Sequence, residues 1–457
     1  MQIRRRFRLL ICAGLFTTAA LSGCGSSSTT ETVPNTVSIF NSHSVIFRNN
    51  STMTMGYNEF GQLGDGTLDN RAVATLVPGL GHMTKGSVGA VHTLVFSNQG
   101  SVVMAWGYNG YGQIGNTNVS TSSGIAFTND PVPVRFDALV SDVAAGGFHS
   151  LAVAGGAVRG WGYNGNGQVG DGTSTNQNAP VKLEKDIENA TLPATAVQVA
   201  AGGLHSLALF DEGATASVYA WGNNSHGQIG FSPYSSPVNY SRPKKVRLTE
   251  VTGKVEQIAA GGKFSLALEV VRDGLGNITG QTLWGWGFGG AGQLGADPKT
   301  LDMLVATNSE TAFSQSPRIL YTVTGVGAGT TVIKKFAAGL DHVLLLLGVR
   351  DSDGSDGSWT VQALGYNFFG QLGNDMKPSL TSKDTSSSSF ELVHTLDVSG
   401  TADLTGATDI AAFGNHSLAL VNGKWYGWGN NNTGQLGNPA PVSSAGNPKI
   451  PVLVQGF

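Results

Sequence analysis

Cysteine and charge are both scarce in this chain, and each shortage excludes a class of protein. The only cysteines are Cys12 and Cys24, so the rest of the sequence holds no disulfide framework and no thiolate metal site. Charged residues make up 12% of the 457 residues, and the net charge is −3. Because nucleic-acid binding normally requires a basic face, we expect no nucleic-acid partner.

Helical periodicity and catalytic motifs are also absent. Short apolar runs separated by Gly, Asn and Asp turns are typical of β-strands, and no segment shows a sustained helical pattern. Neither G-x-S-x-G nor H-E-x-x-H occurs, although both are signatures of large hydrolase classes. We therefore predict that the protein is not an enzyme. A carboxylate pair assembled only by folding is the alternative.

What the chain has in abundance is one repeated segment. Residues 106–115 (WGYNGYGQIG) are one of seven copies, whose Gly-Gln-(Leu/Ile/Val)-Gly cores begin at Gly61, Gly112, Gly167, Gly227, Gly292, Gly370 and Gly434. Six residues before each core stands a large apolar residue followed by Gly, namely Met55, Trp106, Trp161, Trp221, Trp286, Leu364 and Trp428. The cores lie 51 to 78 residues apart. A pattern kept over such variable distances indicates a structural repeat.

The repeat predicts an all-β fold, a seven-bladed β-propeller over residues 36–457. Each unit holds four short strand-like runs, and four-stranded antiparallel blades arranged in a ring leave only short sheet edges. The first unit lacks a proline-flanked strand, whereas the chain ends with residues 448–454 (PKIPVLV). We therefore predict that a C-terminal strand completes the first blade and closes the ring.

The motif also carries a family resemblance. Residues 144–152 and 200–208 both read Ala-Ala-Gly-Gly-x-His-Ser-Leu-Ala. Together with Trp-Gly-x-Asn-x-x-Gly-Gln-Leu-Gly, this pattern resembles the repeat of the regulator of chromosome condensation family. The resemblance implies a seven-bladed propeller and three known roles: nucleotide exchange on a small GTPase with chromatin contact, inhibition of β-lactamases by a secreted bacterial protein, and service as a scaffold for proteins. The charge and the N-terminal segment disfavour the first.

The N-terminal segment predicts export. Four arginines among residues 4–8 precede an apolar run at residues 9–21, which is too short to span a bilayer comfortably. The run ends in Leu-Ser-Gly-Cys24, which resembles the lipobox of bacterial lipoproteins. This implies a signal peptide at residues 1–23, lipidation of Cys24 and a flexible tether at residues 24–35. We expect a lipid-anchored envelope protein, in the outer membrane because Gly25 is not an Asp. An ordinary or twin-arginine signal is the alternative.

Histidine and tryptophan recur at fixed positions of the repeat. His43, His92, His149, His205, His342 and His416 occupy one position, and Phe264 replaces His in the fifth unit. A ring of histidines could bind a metal. A residue required once per blade is more typical of the blade itself, so we interpret these histidines as structural. The tryptophans are interpreted as blade core.

Other motifs raise the possibility of bound ions or nucleotides. Residues 351–357 (DSDGSDG) place Asp351, Asp353 and Asp356 in a Gly-rich stretch, which suits a hairpin tip and could alternatively bind Ca²⁺ through oxygen ligands. The G-x-G-x-x-G match at residues 110–115 lacks the following helix of a nucleotide site. Apart from the calcium alternative, we predict no cofactor.

One loop between repeats combines aromatic and basic residues. Phe231, Tyr234, Tyr240, Arg242 and Lys244 are of the types enriched in protein interfaces. We predict that they contact a protein partner and that the propeller is an envelope-anchored binding module or scaffold. The alternatives are an inhibitor of a secreted or periplasmic enzyme and a carbohydrate-active or lyase-type enzyme. Acidic and His residues converging on a channel mouth would favour an enzyme, whereas aromatic residues on one rim would favour binding.

Overall fold

The computed structural model describes residues 42–48, 51–81, 83–97, 100–122, 126–233, 238–249, 251–295, 313–325, 330–350, 356–375, 388–439 and 447–456. All of them belong to one unit, Ser38–Phe457. The predicted signal peptide, Cys24 and the tether lie outside the described residues. Among the residues described, no helix is long and apolar enough to span a membrane.

Short strands joined by tight turns form seven antiparallel sheets, and within each sheet the strands follow chain order. Blade 1 holds β1 (His43–Arg48), β2 (Ser51–Gly56) and β3 (Arg71–Leu76); blade 2 holds β4 (Lys85–Val88), β5 (His92–Phe96), β6 (Val102–Tyr108) and β7 (Phe127–Arg135); blade 3 holds β8 (Val140–Ala145), β9 (His149–Ala154), β10 (Ala157–Gly162) and β11 (Gln177–Lys182). Blade 4 holds β12 (Ala196–Ala201), β13 (His205–Asp211), β14 (Ala216–Asn223) and β15 (Asn239–Lys245).

The remaining blades have the same layout. Blade 5 holds β16 (Lys254–Ala260), β17 (Phe264–Arg272), β18 (Ile278–Phe288) and β19 (Phe313–Thr324); blade 6 holds β20 (Thr331–Ala338), β21 (His342–Arg350), β22 (Asp356–Tyr366) and β23 (Ser388–His394); blade 7 holds β24 (Ala407–Phe413), β25 (His416–Val421), β26 (Lys424–Gly429) and β27 (Val452–Leu453). The predicted seven-bladed β-propeller of four-stranded antiparallel blades is confirmed, with three strands of blade 1 among the described residues.

Strand register brings the two halves of the sequence motif to the same face of the ring. In every blade the residue in the His position lies opposite the glycine that follows the Trp position, from His43 and Gly56 to His416 and Gly429. Gly107 shows why this glycine is needed: its φ is +104°, and a Cβ there would lie 2.4 Å from a backbone carbonyl oxygen. We call the face carrying the Gly-Gln-x-Gly loops the loop face.

The C-terminal strand belongs to the last blade. β27 pairs with β26, whereas blade 1 has its own last strand, β3, paired with β2. The prediction that the C-terminal strand completes the first blade is therefore wrong. In every blade the last strand follows that blade's own Gly-Gln-x-Gly loop, and β3 (RAVATL) is hard to recognise because it contains no proline.

The ring nevertheless closes where the C-terminus meets blade 1. The Ala74 backbone N–H donates to the Gln455 carbonyl over 3.0 Å. Val454 packs against Ile46, Met55 and Ala74 in one buried cluster. The C-terminus thus connects the last blade to the first by packing and a backbone hydrogen bond.

Candidate functional site

Neighbouring blades are joined by hydrogen bonds among the His, Ser, Gln and Trp of the motif. Between blades 2 and 3, His92 Nε2 lies 2.9 Å from Ser150 Oγ, and that hydroxyl donates to the Gln113 carbonyl over 2.8 Å. Trp161 Nε1 donates to the same carbonyl over 2.9 Å. Because the single Ser150 proton is already used, His92 must donate through Nε2. The motif is therefore an inter-blade connector.

The same connector recurs at four other seams. It comprises His43, Thr93, Gln62 and Trp106; His149, Ser206, Gln168 and Trp221; His205, Ser265, Gln228 and Trp286; and His342, Ser417, Gln371 and Trp428. Between blades 7 and 1, His416 Nε2 lies 2.8 Å from Ser44 Oγ, which donates to the Gln435 carbonyl. Met55 replaces the Trp there, and Ser42 Oγ lies 3.0 Å from His416 Nδ1. All five tryptophans are fully buried. The structure thus places the repeated His and Trp residues inside the seams.

Burial keeps these imidazoles neutral. It lowers the pKa of His92 and His149 to about 3 and that of His416 to about 4. No three His, Cys, Asp or Glu side chains lie close enough to hold a metal ion in the part of the chain that the structure describes. These imidazoles therefore serve as hydrogen-bond donors between blades.

One seam lacks the connector. Between blades 5 and 6, Phe264 replaces the His, Val343 replaces the Ser and Leu364 replaces the Trp. All three side chains lie in one buried apolar cluster. The polar connector is thus exchanged there for an apolar contact.

The central channel opens opposite the loop face, and most of its carboxylates are engaged. The mouth is a cavity of about 510 Å³, lined by Lys85, Asp142, Val197, Gln198, Glu256, Gln257, Lys334, Lys335 and Thr408. Glu256 pairs with Arg272 over 2.9 Å, and Lys335 pairs with Asp409. Asp142 accepts a hydrogen bond from the Val199 N–H over 3.0 Å, and burial raises its pKa to about 6. No histidine lines the described part of this mouth.

A row of aromatic rings crosses the loop face from blade 1 to blade 3. We call Tyr57, Phe60, Tyr108, Tyr111 and Tyr163 the aromatic strip. Successive ring centroids along it lie 6.3, 5.1, 6.0 and 5.0 Å apart, mostly in the edge-to-face geometry that aromatic pairs prefer. Phe60, Tyr108 and Tyr163 are half-exposed, whereas Tyr57 and Tyr111 are buried. The strip therefore presents three half-exposed rings on a packed aromatic base.

Side chains of the motif hold these loops rigid. In blade 2, Asn109 Oδ1 accepts the Ile114 N–H over 2.9 Å, and Asn109 Nδ2 donates to the Val119 carbonyl over 3.0 Å. Gln113 Oε1 accepts the Tyr111 N–H over 3.0 Å. Because both ends of the loop are tied to side chains, the rings project from a preformed turn.

The loop predicted to contact a partner is largely packed into blade 4. The Lys244 ammonium lies 3.9 Å from the Phe231 ring centroid and 4.9 Å from that of Tyr240, so these side chains stack on one another. Tyr240 lies within β15 and is 4% exposed, so little of its side chain reaches the surface, and its contact with a partner stays a prediction. Arg242 is half-exposed beside Gly172 of blade 3. Tyr234 lies outside the described residues.

The calcium alternative stays a prediction. Asp351 and Asp353 lie outside the described residues. Asp356 is the first residue of β22, and its side chain is not described.

Comparison with known proteins identifies the repeat. Residues 102–153, 155–209, 216–268 and 422–457 match the family described as "Regulator of chromosome condensation (RCC1) repeat", and residues 140–168 and 196–228 match a second family of the same description. The chain contains RCC1 repeats. The matched residues include the Trp and Gln of the connector in blades 2, 3, 4 and 7 and its His in blades 3 and 4.

The chain is similar to parts of other named proteins. The Ultraviolet-B receptor UVR8 of Arabidopsis thaliana is 29% identical over 337 residues, which is 73% of this chain and 65% of that protein. The probable E3 ubiquitin-protein ligase HERC6 of Homo sapiens is 31% identical over 262 residues, or 56% of this chain and 23% of that protein. The chain thus spans less than two thirds of either relative.

Solved structures of other proteins share the fold. Yeast RCC1 (Prp20) bound to Kap60 has a TM-score of 0.65 at 22% identity, covering 98% of this chain and 91% of that one. Prp20p from Saccharomyces cerevisiae, described with its binding properties to Gsp1p and histones, has a TM-score of 0.64 at 22% identity, covering 92% and 88%. Human WBSCR16 has a TM-score of 0.59 at 24% identity, covering 85% and 86%. These likenesses show the fold alone.

Sequence reasoning missed the aromatic strip because its residues lie inside the RCC1 repeat motif. They occupy the variable positions of Trp-Gly-x-Asn-x-x-Gly-Gln, which invite interpretation as part of a Gly-rich turn. The available signal was the difference between copies: both positions are aromatic in units one, two and six, and neither is in unit seven.

Proposed function

We propose that this chain is a lipid-anchored protein of the bacterial cell envelope, and that its RCC1-type propeller binds a protein partner through the loop face. The observation that carries the proposal is the aromatic strip. Half-exposed aromatic side chains on a rigid base are typical of the residues that dominate protein interfaces. At the other face the channel mouth holds carboxylates engaged by cations or backbone N–H groups, which disfavours an enzyme there.

Protein binding by proteins of the same fold also supports a protein partner. Yeast RCC1 is described bound to Kap60, and Prp20p with binding properties to Gsp1p and histones, so the same fold serves protein binding elsewhere. If the partner is a secreted or periplasmic enzyme, this protein would act as its inhibitor.

The anchor depends on Cys24 and on the tether. The sequence of residues 24–35 is rich in Ser and Thr, which favours a linker between an anchor and a folded domain. Two or more acyl chains supply the hydrophobic contacts that stable anchoring requires.

Metabolic labelling tests the anchor. Cells expressing the full chain would be fed an alkyne analogue of palmitate, and label and membrane fraction would be compared with those of Cys24→Ser. We expect label and membrane association for the natural chain and neither for the variant. Equal behaviour of the two chains would contradict lipidation.

Capture from cross-linked cells tests the binding face. The full chain would be compared with Phe60→Ala/Tyr108→Ala and with the control Glu184→Gln/Glu212→Gln, whose changes lie on the opposite face. We expect one envelope or secreted protein to be captured by the natural chain and the control and lost with the strip variant. Thermal unfolding of each variant shows that the fold persists. Identical captures by all three would contradict the proposed face.

A further inference from the structure

The part of the loop face formed by blades 1 to 3 has a chemistry that selects its partner. We propose that this part docks a cationic polypeptide segment, rich in Arg and Lys, that belongs to the protein partner. The inference rests on the proposed function and names the chemistry of the partner.

Negative charge is concentrated in this part of the loop face. The stretches 57–71, 108–130 and 163–177 contain the acids Glu59, Asp65, Asp69, Asp130 and Asp171, with Arg71 as the only base. The corresponding described stretches of blade 4 (223–233 and 238–242) and blade 7 (430–439 and 447–450) carry no Asp or Glu and two bases, namely Lys449 and Arg242, which lies beside Gly172 of blade 3. The acidic charge thus coincides with the aromatic strip.

Three of these carboxylates face solvent, and two serve the loops themselves. Asp65 accepts from Arg71 Nε over 2.6 Å and from Thr67, and Asp171 accepts from Thr173 and Gln177. Glu59, Asp69 and Asp130 are exposed. These three exposed carboxylates are the ones available to a partner.

Contacts between the loops make one surface of the exposed acids and the rings. The Gly66 N–H donates to the Asn129 carbonyl over 3.0 Å, and Asn129 Nδ2 donates back to the Gly66 carbonyl over 2.8 Å. These bonds hold the loop of Asp69 against the strand of Asp130. On the other side, the Tyr57 hydroxyl donates to Glu59 over 2.8 Å, next to Phe60 in the strip.

A cationic segment satisfies both features of this surface. A guanidinium binds carboxylates in bidentate fashion and also stacks on aromatic rings. A neutral apolar partner would instead bury the three carboxylates without counter-ions, which is costly. An anionic partner would be repelled. The combination of acids and rings therefore selects Arg and Lys.

Fluorescence anisotropy with defined probes tests the inference. The full chain in detergent would be titrated against fluorescein-labelled (Arg-Gly)₅ and (Glu-Gly)₅ peptides. The test variant is Glu59→Gln/Asp69→Asn/Asp130→Asn. The control Glu184→Gln/Glu188→Gln/Glu212→Gln changes net charge equally at exposed sites on the opposite face. We expect binding of the Arg peptide alone, weakened about tenfold or more in the test variant and unchanged in the control.

A second variant separates docking from simple charge attraction. Phe60→Ala/Tyr108→Ala keeps every charge, and we expect it also to weaken the Arg peptide severalfold. Equal binding in both triple variants, or tight binding of the Glu peptide, would overturn the inference. If the strip variant loses its captured partner while the Arg peptide never binds, the proposed function stands and the cationic inference is wrong. If the capture experiment and the peptide titration both fail, the proposed binding face and the cationic partner are both wrong.

Discussion

Mild acid should unfold this propeller because its seams require neutral histidines. Burial lowers the pKa of His43, His92, His149, His205 and His342 to about 3 and that of His416 to about 4, from 6.5. At a pH between these values and 6.5, the histidines are protonated in the unfolded chain and neutral in the folded chain. The free energy of unfolding is therefore fully retained above pH 6.5 and falls as the pH drops below it.

The size of the effect follows from the number of histidines. At pH 5 the pH lies about 1.5 units below the pKa of histidine in the unfolded chain. Each buried histidine therefore lowers the free energy of unfolding by about 2 kcal/mol, and six lower it by about 12 kcal/mol. Asp142 and Asp341 act in the opposite direction, because burial raises the pKa of each to about 6. Together they raise the free energy of unfolding at pH 5 by about 3 kcal/mol. The net loss is comparable with the whole stability of a typical domain, about 5–15 kcal/mol.

Urea unfolding followed by tryptophan fluorescence between pH 7.5 and 4.5 measures this loss. We expect a steep decline below pH 6.5 and proton uptake on unfolding of about four to six protons near pH 5. His149→Phe/Ser206→Val, which copies the Phe264 and Val343 pair of the apolar seam, should lower the uptake by about one proton. His394→Gln, at an exposed surface pair with Asp403, serves as the matched control. Stability unchanged down to pH 4.5 would refute the reasoning.

Three further outcomes are expected from thermal or urea unfolding. Gly107→Ala should cost about 3 kcal/mol or more, since its Cβ would meet the Val91 carbonyl oxygen at 2.4 Å with φ at +104°, whereas Gly274→Ala, with open space around it, should be near neutral; equal effects would contradict the steric argument. Trp161→Phe should cost about 1–3 kcal/mol through the lost bond to the Gln113 carbonyl, and a neutral result would show that the bond contributes nothing. Deletion of residues 451–457 should lower the melting temperature by removing β27 and the buried Val454, and an unchanged melting temperature would contradict the closure described above.

The blade number could be predicted from the sequence because the connector demands fixed spacing. The Gly-Gln-x-Gly core recurs in all seven blades, with a large apolar residue and Gly at a constant distance before it, and the His recurs in six blades. That recurrence is visible without a structure. Strand assignment at the ends of the chain was not visible. The last strand of blade 1 has no proline, so sequence reasoning gave blade 1 the strand that belongs to blade 7.

The candidate site was harder to predict because its contacts run between blades. Phe60 and Tyr108 lie 48 residues apart in sequence, and only the ring of blades brings their centroids to 5.1 Å. Conversely, Phe231 and Tyr240 look like a free aromatic loop in sequence. Their contact with Lys244 and the burial of Tyr240 depend on pairing of β15, which a linear pattern does not reveal.

The apolar seam between blades 5 and 6 shows that the connector is exchanged as a unit. Phe264, Val343 and Leu364 are three separate departures from the motif in sequence, and each alone suggests a weakened repeat. Losing one partner would leave a buried polar group unsatisfied, which costs about 1–3 kcal/mol, whereas replacing both partners by apolar groups can be nearly neutral. In the structure the three side chains meet in one cluster. The departures are therefore one change at one seam, and for that reason the fold tolerates them.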